Sequence, residues 1–185
     1  IAVTVPKLAN SERISRRIPL GAVGIHTIVV KAPESGNIYF LGGAIYTGDS
    51  GIVIHNFSKS GEAAVGFASS SANKFRVFGL IKPRITICAV LANDYGAAAT
   101  PVATYASRID QICMRSRQYG SEVVGIIPPD NGLDPAGKPS IAEYENALKT
   151  TVSAYSGPTI DIHAAWGSYS RNAGGRMYDT QHPSF

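Results

Sequence analysis

The sequence contains few of the residues that would mark a specialised class of protein. It has two cysteines and one tryptophan among 185 residues, and 16% of its residues are charged. Two cysteines do not make a disulfide framework, and no further Cys or His lies at metal-ligand spacing from either. No apolar run reaches the roughly 18 residues of a membrane-spanning helix. These absences argue against a disulfide scaffold, a structural metal module and a membrane span.

Positive charge is only modestly in excess, with 17 Lys and Arg against 13 Asp and Glu. The cations are scattered apart from residues 13–17 (RISRR), and no aromatic residues alternate with them as single-stranded nucleic acid would require. A solvated surface is therefore favoured, and no nucleic-acid partner is expected. The apolar content of 44% fits an ordinary globular chain, long enough for one α/β domain with a substantial core.

The first part of the chain is rich in β-branched and aromatic residues. Three such runs, at 24–32, 37–48 and 51–57, are separated by Gly, Pro and Ser, and no helical periodicity interrupts them. They predict successive strands. We expect a small β-rich segment at residues 1–50, either the end of a β-sandwich or a linker, followed by an α/β domain at 51–185.

The second part alternates between strand-like and helix-like patterns. Ser140 followed by Glu143 forms a capping box before an amphipathic run. Alternation of this kind predicts a parallel sheet with right-handed crossovers, covered by helices on both faces. Buried strands are predicted at 84–92, 122–128 and 158–166, short helices within 62–82, and longer helices at 102–117 and after Ser140. Cys88 and Cys113 fall inside these patterns as small core residues.

Polar stretches lie where strands of such a sheet end. They are 58–64 (SKSGEAA), 91–96 (LANDYG) and 179–184 (DTQHPS). The carboxyl ends of parallel strands meet at one edge of the sheet, which is where ligands bind in open α/β folds. The three stretches are therefore expected to face one site.

These stretches resemble the conserved blocks of the SGNH (GDSL-type) hydrolases, a family of serine esterases and acyl hydrolases. The resemblance runs from about residue 51 to residue 185 and implies a flavodoxin-like, three-layer parallel sheet. Leu91 stands where the third block usually has a glycine. The matching residues are Gly61 in the second block, Asn93 and Asp94 in the third, and Asp179 and His182 in the fourth.

The resemblance implies a role for each of four residues. His182 would be the general base that activates a serine hydroxyl, and Asp179 would orient and stabilise its imidazole. The backbone N–H of Gly61 and the side-chain amide of Asn93 would bind the oxyanion of the tetrahedral intermediate. The implied activity is hydrolysis of a small ester, or of acyl or acetyl groups on a carbohydrate, through an acyl-enzyme and without metal or cofactor.

The nucleophile of this scheme needs a serine at the carboxyl end of a strand. Ser50 ends a Gly-Asp-Ser sequence, but it precedes Gly61 by only 61 − 50 = 11 residues. The strand predicted there leaves no room for a crossover, which needs about 10–12 residues of its own. Ser50 fits a turn between strands better. We expect the nucleophile block upstream of Ile1, with residues 1–50 as the tail of an inserted β-domain and the α/β domain cut at both ends.

Other interpretations stay open. The chain could be a non-catalytic glycan-binding or structural module of a virion or cell surface, associated with the rest of a larger polypeptide, or a flavodoxin-like domain of unrelated function. Gly61 alone could be a strand-exit turn, Asn93 a helix cap, and the pair Asp179 and His182 a surface turn. Two further side chains, those of Asp161 and His163, alternate along a predicted strand, but a metal site would need a third ligand.

Overall fold

A computed structural model describes residues 29, 52–69, 78–79, 81–96, 100–132, 139–169 and 175. The chain divides into two compact units, Ile1–Phe57 and Ser58–Phe185. The predicted domain boundary between residues 50 and 51 stays a prediction. So do the strands at 24–32 and 37–48, which apart from Val29 lie outside the described residues.

In the first unit, the strand predicted at 51–57 is wrong for the part that the structure describes. Residues 52–57 form no regular secondary structure. Ile52 and Ile54 are 91% and 87% exposed. A run of β-branched residues favours extended backbone, but a strand also requires a hydrogen-bonded neighbour, which the sequence of the run cannot specify.

The second unit contains a parallel sheet of three strands among the residues described. The strands are β1 (Ile85–Cys88), β2 (Glu122–Ile127) and β3 (Thr159–Asp161), in that spatial order. Ile87 pairs with Val124 in β2, and Ile126 pairs with Ile160 in β3. A parallel α/β fold is therefore confirmed. The finer flavodoxin-like, three-layer arrangement remains a prediction.

A helix precedes β1, and further helices follow the strands. They are α1 (Ala64–Ser69), α2 (Ala92–Tyr95), α3 (Val102–Gln118), α4 (Ile141–Ala154) and α5 (Ile162–Trp166), and residues 78–79 and 81 are also helical. The predicted capping box of α4 is present, with the Ser140 N–H donating to Glu143 Oε2 at 2.8 Å. None of the helices described is long and apolar enough to cross a membrane.

The core lies between the long helices and one face of the sheet. Tyr105 of α3 and Tyr144 of α4 are both buried, with ring centroids 5.5 Å apart. Their hydroxyls donate to backbone carbonyls at the two ends of the segment that contains α2, Tyr105 to Val90 and Tyr144 to Thr100. Two core tyrosines thus fix the segment that follows β1.

The two cysteines are buried and free, as the sequence predicts. Burial raises the pKa of Cys88 to about 12 and that of Cys113 to about 11. Both thiols are therefore protonated at neutral pH and poorly nucleophilic.

Two strand predictions need correction. The run at 84–92 is not buried on both faces, because Ile85 and Ile87 are 58% and 62% exposed. The strand predicted at 158–166 ends at Asp161, where α5 begins. The Asp161 carboxylate accepts the Ala164 N–H at 2.8 Å, so a helix cap ends the strand despite the β-branched residues around it.

Candidate functional site

The loop before α1 carries the second-block glycine. Gly61 has φ +71°, in the left-handed region that favours glycine. The turn around it is closed by the Glu62 N–H, which donates to the Lys59 carbonyl at 3.1 Å. A Cβ at Gly61 would meet nothing within 4 Å. Backbone conformation, and not crowding, is therefore the reason for glycine here.

The third-block asparagine lies beside this loop. Asn93 belongs to the first turn of α2, shortly after the carboxyl end of β1. Its side-chain Nδ2 donates to the Glu62 carbonyl oxygen at 3.1 Å, across 31 positions of sequence. The amide carries two N–H groups, and this bond uses one of them. The structure thus brings Asn93 to the residue directly after Gly61.

Asp94 makes a second connection to the same loop. Its Oδ2 accepts the backbone N–H of Ala64, the first residue of α1, at 2.6 Å. The side chain is fully buried, and Oδ1 has no hydrogen-bond partner among the described residues. The Arg108 Nη1 lies 3.8 Å from that oxygen. Asp94 matches the third block, but the resemblance implies no role for it.

The surroundings of Asp94 shift its ionisation. Burial raises the pKa of its carboxyl above the ordinary value, against the opposing effects of the Ala64 N–H, the Thr100 side chain and the Arg108 guanidinium. Arg108 is itself oriented by a hydrogen bond from Nη1 to Thr100 Oγ1 at 3.3 Å. The charged form of this carboxyl group is therefore disfavoured by burial and supported by one N–H, one hydroxyl side chain and one cation.

A second polar cluster lies where β2 and β3 end. His163 Nδ1 contacts Glu145 Oε1, and its Nε2 lies 3.9 Å from Asp130 Oδ2. The same Asp130 oxygen accepts the Tyr169 N–H at 2.9 Å. We call His163, Glu145 and Asp130 the histidine cluster. It ties α5 both to α4 and to the segment that follows β2.

The pair Asp161 and His163, considered above as metal ligands, has other partners. Asp161 Oδ2 lies 2.7 Å from Lys149 Nζ, and its other oxygen caps α5. Burial raises the pKa of Asp161, but the Lys149 ammonium and the Ala164 N–H outweigh it, so the pKa lies below its ordinary value. Among the residues that the structure describes, no three His, Cys, Asp or Glu side chains are placed to hold a metal ion.

Three of the predicted site residues lie outside the described residues. They are Ser50, Asp179 and His182. The structure therefore brings Asn93 to Glu62, the residue directly after Gly61, while the roles of all five predicted site residues remain predictions. The contacts that sequence reasoning missed are those of Asp94 and of the histidine cluster.

Comparison with known proteins bears on the fold alone. No protein-family model matches the chain, and no curated protein is significantly similar to it. The crystal structure of protein YXIM from Bacillus subtilis is similar over 66% of this chain, with 18% identity and a TM-score of 0.53. The chain spans 38% of the length of that protein. A second solved structure is similar over 59% of this chain and 61% of its own, with 18% identity and a TM-score of 0.46.

Proposed function

We propose that the protein is a serine ester hydrolase of the SGNH type. The observation that carries this proposal is the hydrogen bond from Asn93 Nδ2 to the Glu62 carbonyl. It joins two stretches of the chain that resemble separate blocks of that family, at the edge of the sheet where the chemistry of α/β folds occurs. Two unrelated loops would not be expected to bring an asparagine of one block to the residue next to the glycine of another.

The chemistry would proceed through an acyl-enzyme. A serine attacks the ester carbonyl while His182, oriented by Asp179, takes the hydroxyl proton and later returns a proton to the leaving alkoxide. The Gly61 N–H and the Asn93 amide stabilise the negative charge on the tetrahedral oxygen, and one such donor is typically worth about 3–4 kcal/mol of barrier. Water then releases the acyl group by the reverse steps. The nucleophile is Ser50 or a serine outside this chain, and the substrate class is an acylated or acetylated carbohydrate.

Hydrolysis of p-nitrophenyl acetate by the full-length protein tests the proposal. We expect Asn93→Ala to lower kcat by about 100- to 1,000-fold, because one oxyanion donor is lost. His182→Ala should remove nearly all turnover. Asn146→Ala, which truncates an exposed asparagine of α4, is the matched control and should leave kcat unchanged. Full activity in His182→Ala would contradict the assignment.

Labelling with a fluorophosphonate separates this function from a non-catalytic module. An activated serine in the polypeptide forms a covalent adduct, and mass spectrometry locates it at Ser50 or elsewhere. If the full-length protein neither labels nor hydrolyses the ester, the non-catalytic module becomes the better interpretation.

A further inference from the structure

We propose that Asp94 is a positioning residue, whose carboxylate holds the start of α1 so that the Gly61 loop keeps its orientation toward Asn93. The inference rests on the proposed function, because orientation of this loop has catalytic meaning only if the Gly61 N–H binds an oxyanion. Its structural part, that Asp94 fixes the loop, can be tested without any activity.

Two neighbouring side chains bind the same short loop. Asn93 and Asp94 are consecutive, and both reach the same short stretch of backbone. Asn93 donates to the carbonyl of Glu62, and Asp94 accepts from the N–H of Ala64. A single hydrogen bond lets a loop rotate about it, whereas two bonds to groups two residues apart remove that freedom. Asp94 supplies the second of these bonds.

Side-chain packing does not hold Gly61 in place. Nothing lies within 4 Å of the position that a Cβ would occupy there. Gly61 is also exposed, so burial does not hold its backbone in place. Among the described residues, the bonds made by Asn93 and Asp94 are thus well placed to fix the loop from its carboxyl-terminal side.

The start of α1 needs acceptors for its backbone N–H groups, because the first N–H groups of a helix have no partner within it. The first turn of α1 contains no acidic residue that could accept them locally. Asp94 Oδ2 accepts the Ala64 N–H from a position 30 residues away in sequence.

A contribution to stability alone explains the buried carboxyl of Asp94 poorly. A buried acceptor without a hydrogen-bond partner is destabilising, and Oδ1 of Asp94 is such an atom. The Arg108 guanidinium, at 3.8 Å, offsets only part of this cost. Residues that are unfavourable for folding tend to occur at functional sites, where geometry is kept at the expense of stability.

Kinetics of two Asp94 variants provide the first test, with Asn93→Ala measured in parallel. Displacing a catalytic group by about 1 Å can lower the reaction rate about 100-fold. We therefore expect Asp94→Ala to lower kcat by about 10- to 100-fold. KM should change little, because the loop acts on the transition state. Asp94→Asn keeps an oxygen for the Ala64 N–H and should restore most of kcat. Ile112→Ala, a buried change in α3, should lower the melting temperature and leave kcat unchanged.

Amide chemical shifts provide a second readout that does not depend on turnover. In a ¹⁵N-labelled sample, the Ala64 amide signal should follow the ionisation of Asp94 as pH is varied, and this titration should vanish in Asp94→Asn. Asp94→Ala should shift the Gly61 and Ala64 signals, whereas Val152→Ala, a buried change in α4, should not. Asp94→Asn keeps the experiment usable if Asp94→Ala does not fold.

The outcomes separate the two proposals. If Asn93→Ala lowers kcat while Asp94→Ala retains it with an unshifted Gly61 signal, the positioning role is wrong and the esterase stands. If no ester is hydrolysed but the signals move as expected, the esterase proposal fails and the structural role of Asp94 is supported. An Ala64 amide that does not respond to pH or to Asp94→Ala overturns the inference in either case.

Discussion

Two attachments lie at the carboxyl edge of the sheet and differ in their chemistry. Near the end of β1, Asn93 and Asp94 bind backbone groups of the loop at 62–64. Beyond the ends of β2 and β3, the segment 161–169 is held by the histidine cluster, by the Lys149–Asp161 pair and by the Tyr169 N–H. The first attachment centres on a fully buried carboxyl group, whereas the second is made mainly of partly exposed charged side chains.

The difference predicts how each attachment responds to conditions. Buried hydrogen bonds are hardly screened by salt, whereas partly exposed ion pairs weaken as ionic strength rises. α5 also has no buried residue, so its docking depends on those polar contacts. The loop at 62–64 should therefore be the more stably attached of the two. The segment 161–169 should undergo local unfolding more readily.

The largest expected effect comes from the tyrosine that supports the first attachment. Tyr144→Ala removes a buried ring that packs on Tyr95 and Tyr105, and we expect a loss of about 3–5 kcal/mol in the free energy of unfolding. Urea denaturation measures it. Tyr119→Ala, at a ring that is 37% exposed, is the control and should cost far less. Equal losses in the two variants would show that this core does not support the segment around α2.

A smaller effect concerns Asp94 and pH. Burial raises its pKa above the ordinary 3.8, so the folded protein holds this proton more tightly than the unfolded chain does. The stabilising contribution is complete below about pH 3.8 and is lost as pH rises through the folded-state pKa. Asp94→Asn cannot ionise, so its stability relative to the wild type should increase over that interval.

Urea denaturation of both proteins between about pH 3 and pH 8 measures this difference. Ser116→Ala, a buried change without a titrating group, should differ from the wild type by a constant amount. If the free energy of unfolding of Asp94→Asn, relative to that of the wild type, falls with rising pH, the environment described for Asp94 is contradicted.

The smallest effect is expected at the second attachment. Lys149 is 45% exposed in its pair with Asp161, so solvent screens the interaction, and Lys149→Ala should cost about 0.2–1 kcal/mol. Hydrogen exchange of α5 amides should become faster in this variant, and about 1 M salt should produce a similar increase in the wild type. Arg117→Ala, which breaks a surface ion pair with Glu122, is the control and should leave hydrogen exchange of the α5 amides unchanged. Salt-insensitive exchange in α5 would remove the contrast between the two attachments.

The parts of the fold predicted correctly are those that local sequence determines. The helix predicted at 102–117 is observed at Val102–Gln118, because its buried stripe repeats at helical spacing. β2 and the capping box of α4 were predicted for similar reasons. The strand prediction at 158–166 failed because Asp161 serves as a helix cap, a role that depends on the Ala164 amide being within reach.

The site was less predictable, because its contacts join distant parts of the chain. The resemblance could single out Gly61 and Asn93, but the strand predicted before Gly61 is not formed at residues 52–57. The contact between the two stretches depends on a bond across 31 residues, from Asn93 to Glu62. The resemblance matched Asp94 to the third block but implied no role for it, and no periodicity linked Glu145 to His163, 18 residues later. Ser50, Asp179 and His182 stay predictions, since they lie outside the residues that the structure describes.

The left-handed torsion at Gly61 has a further consequence for substitutions in this loop. Alanine would fit the open space but would carry about 1–2 kcal/mol of torsional strain at φ +71°. The easiest relief is to swivel the peptide plane between residues 60 and 61, and that plane contains the Gly61 N–H. Such a mutant would keep its fold, but the backbone N–H of residue 61 would point in a different direction. Its defect would therefore lie in the orientation of one N–H group and not in stability.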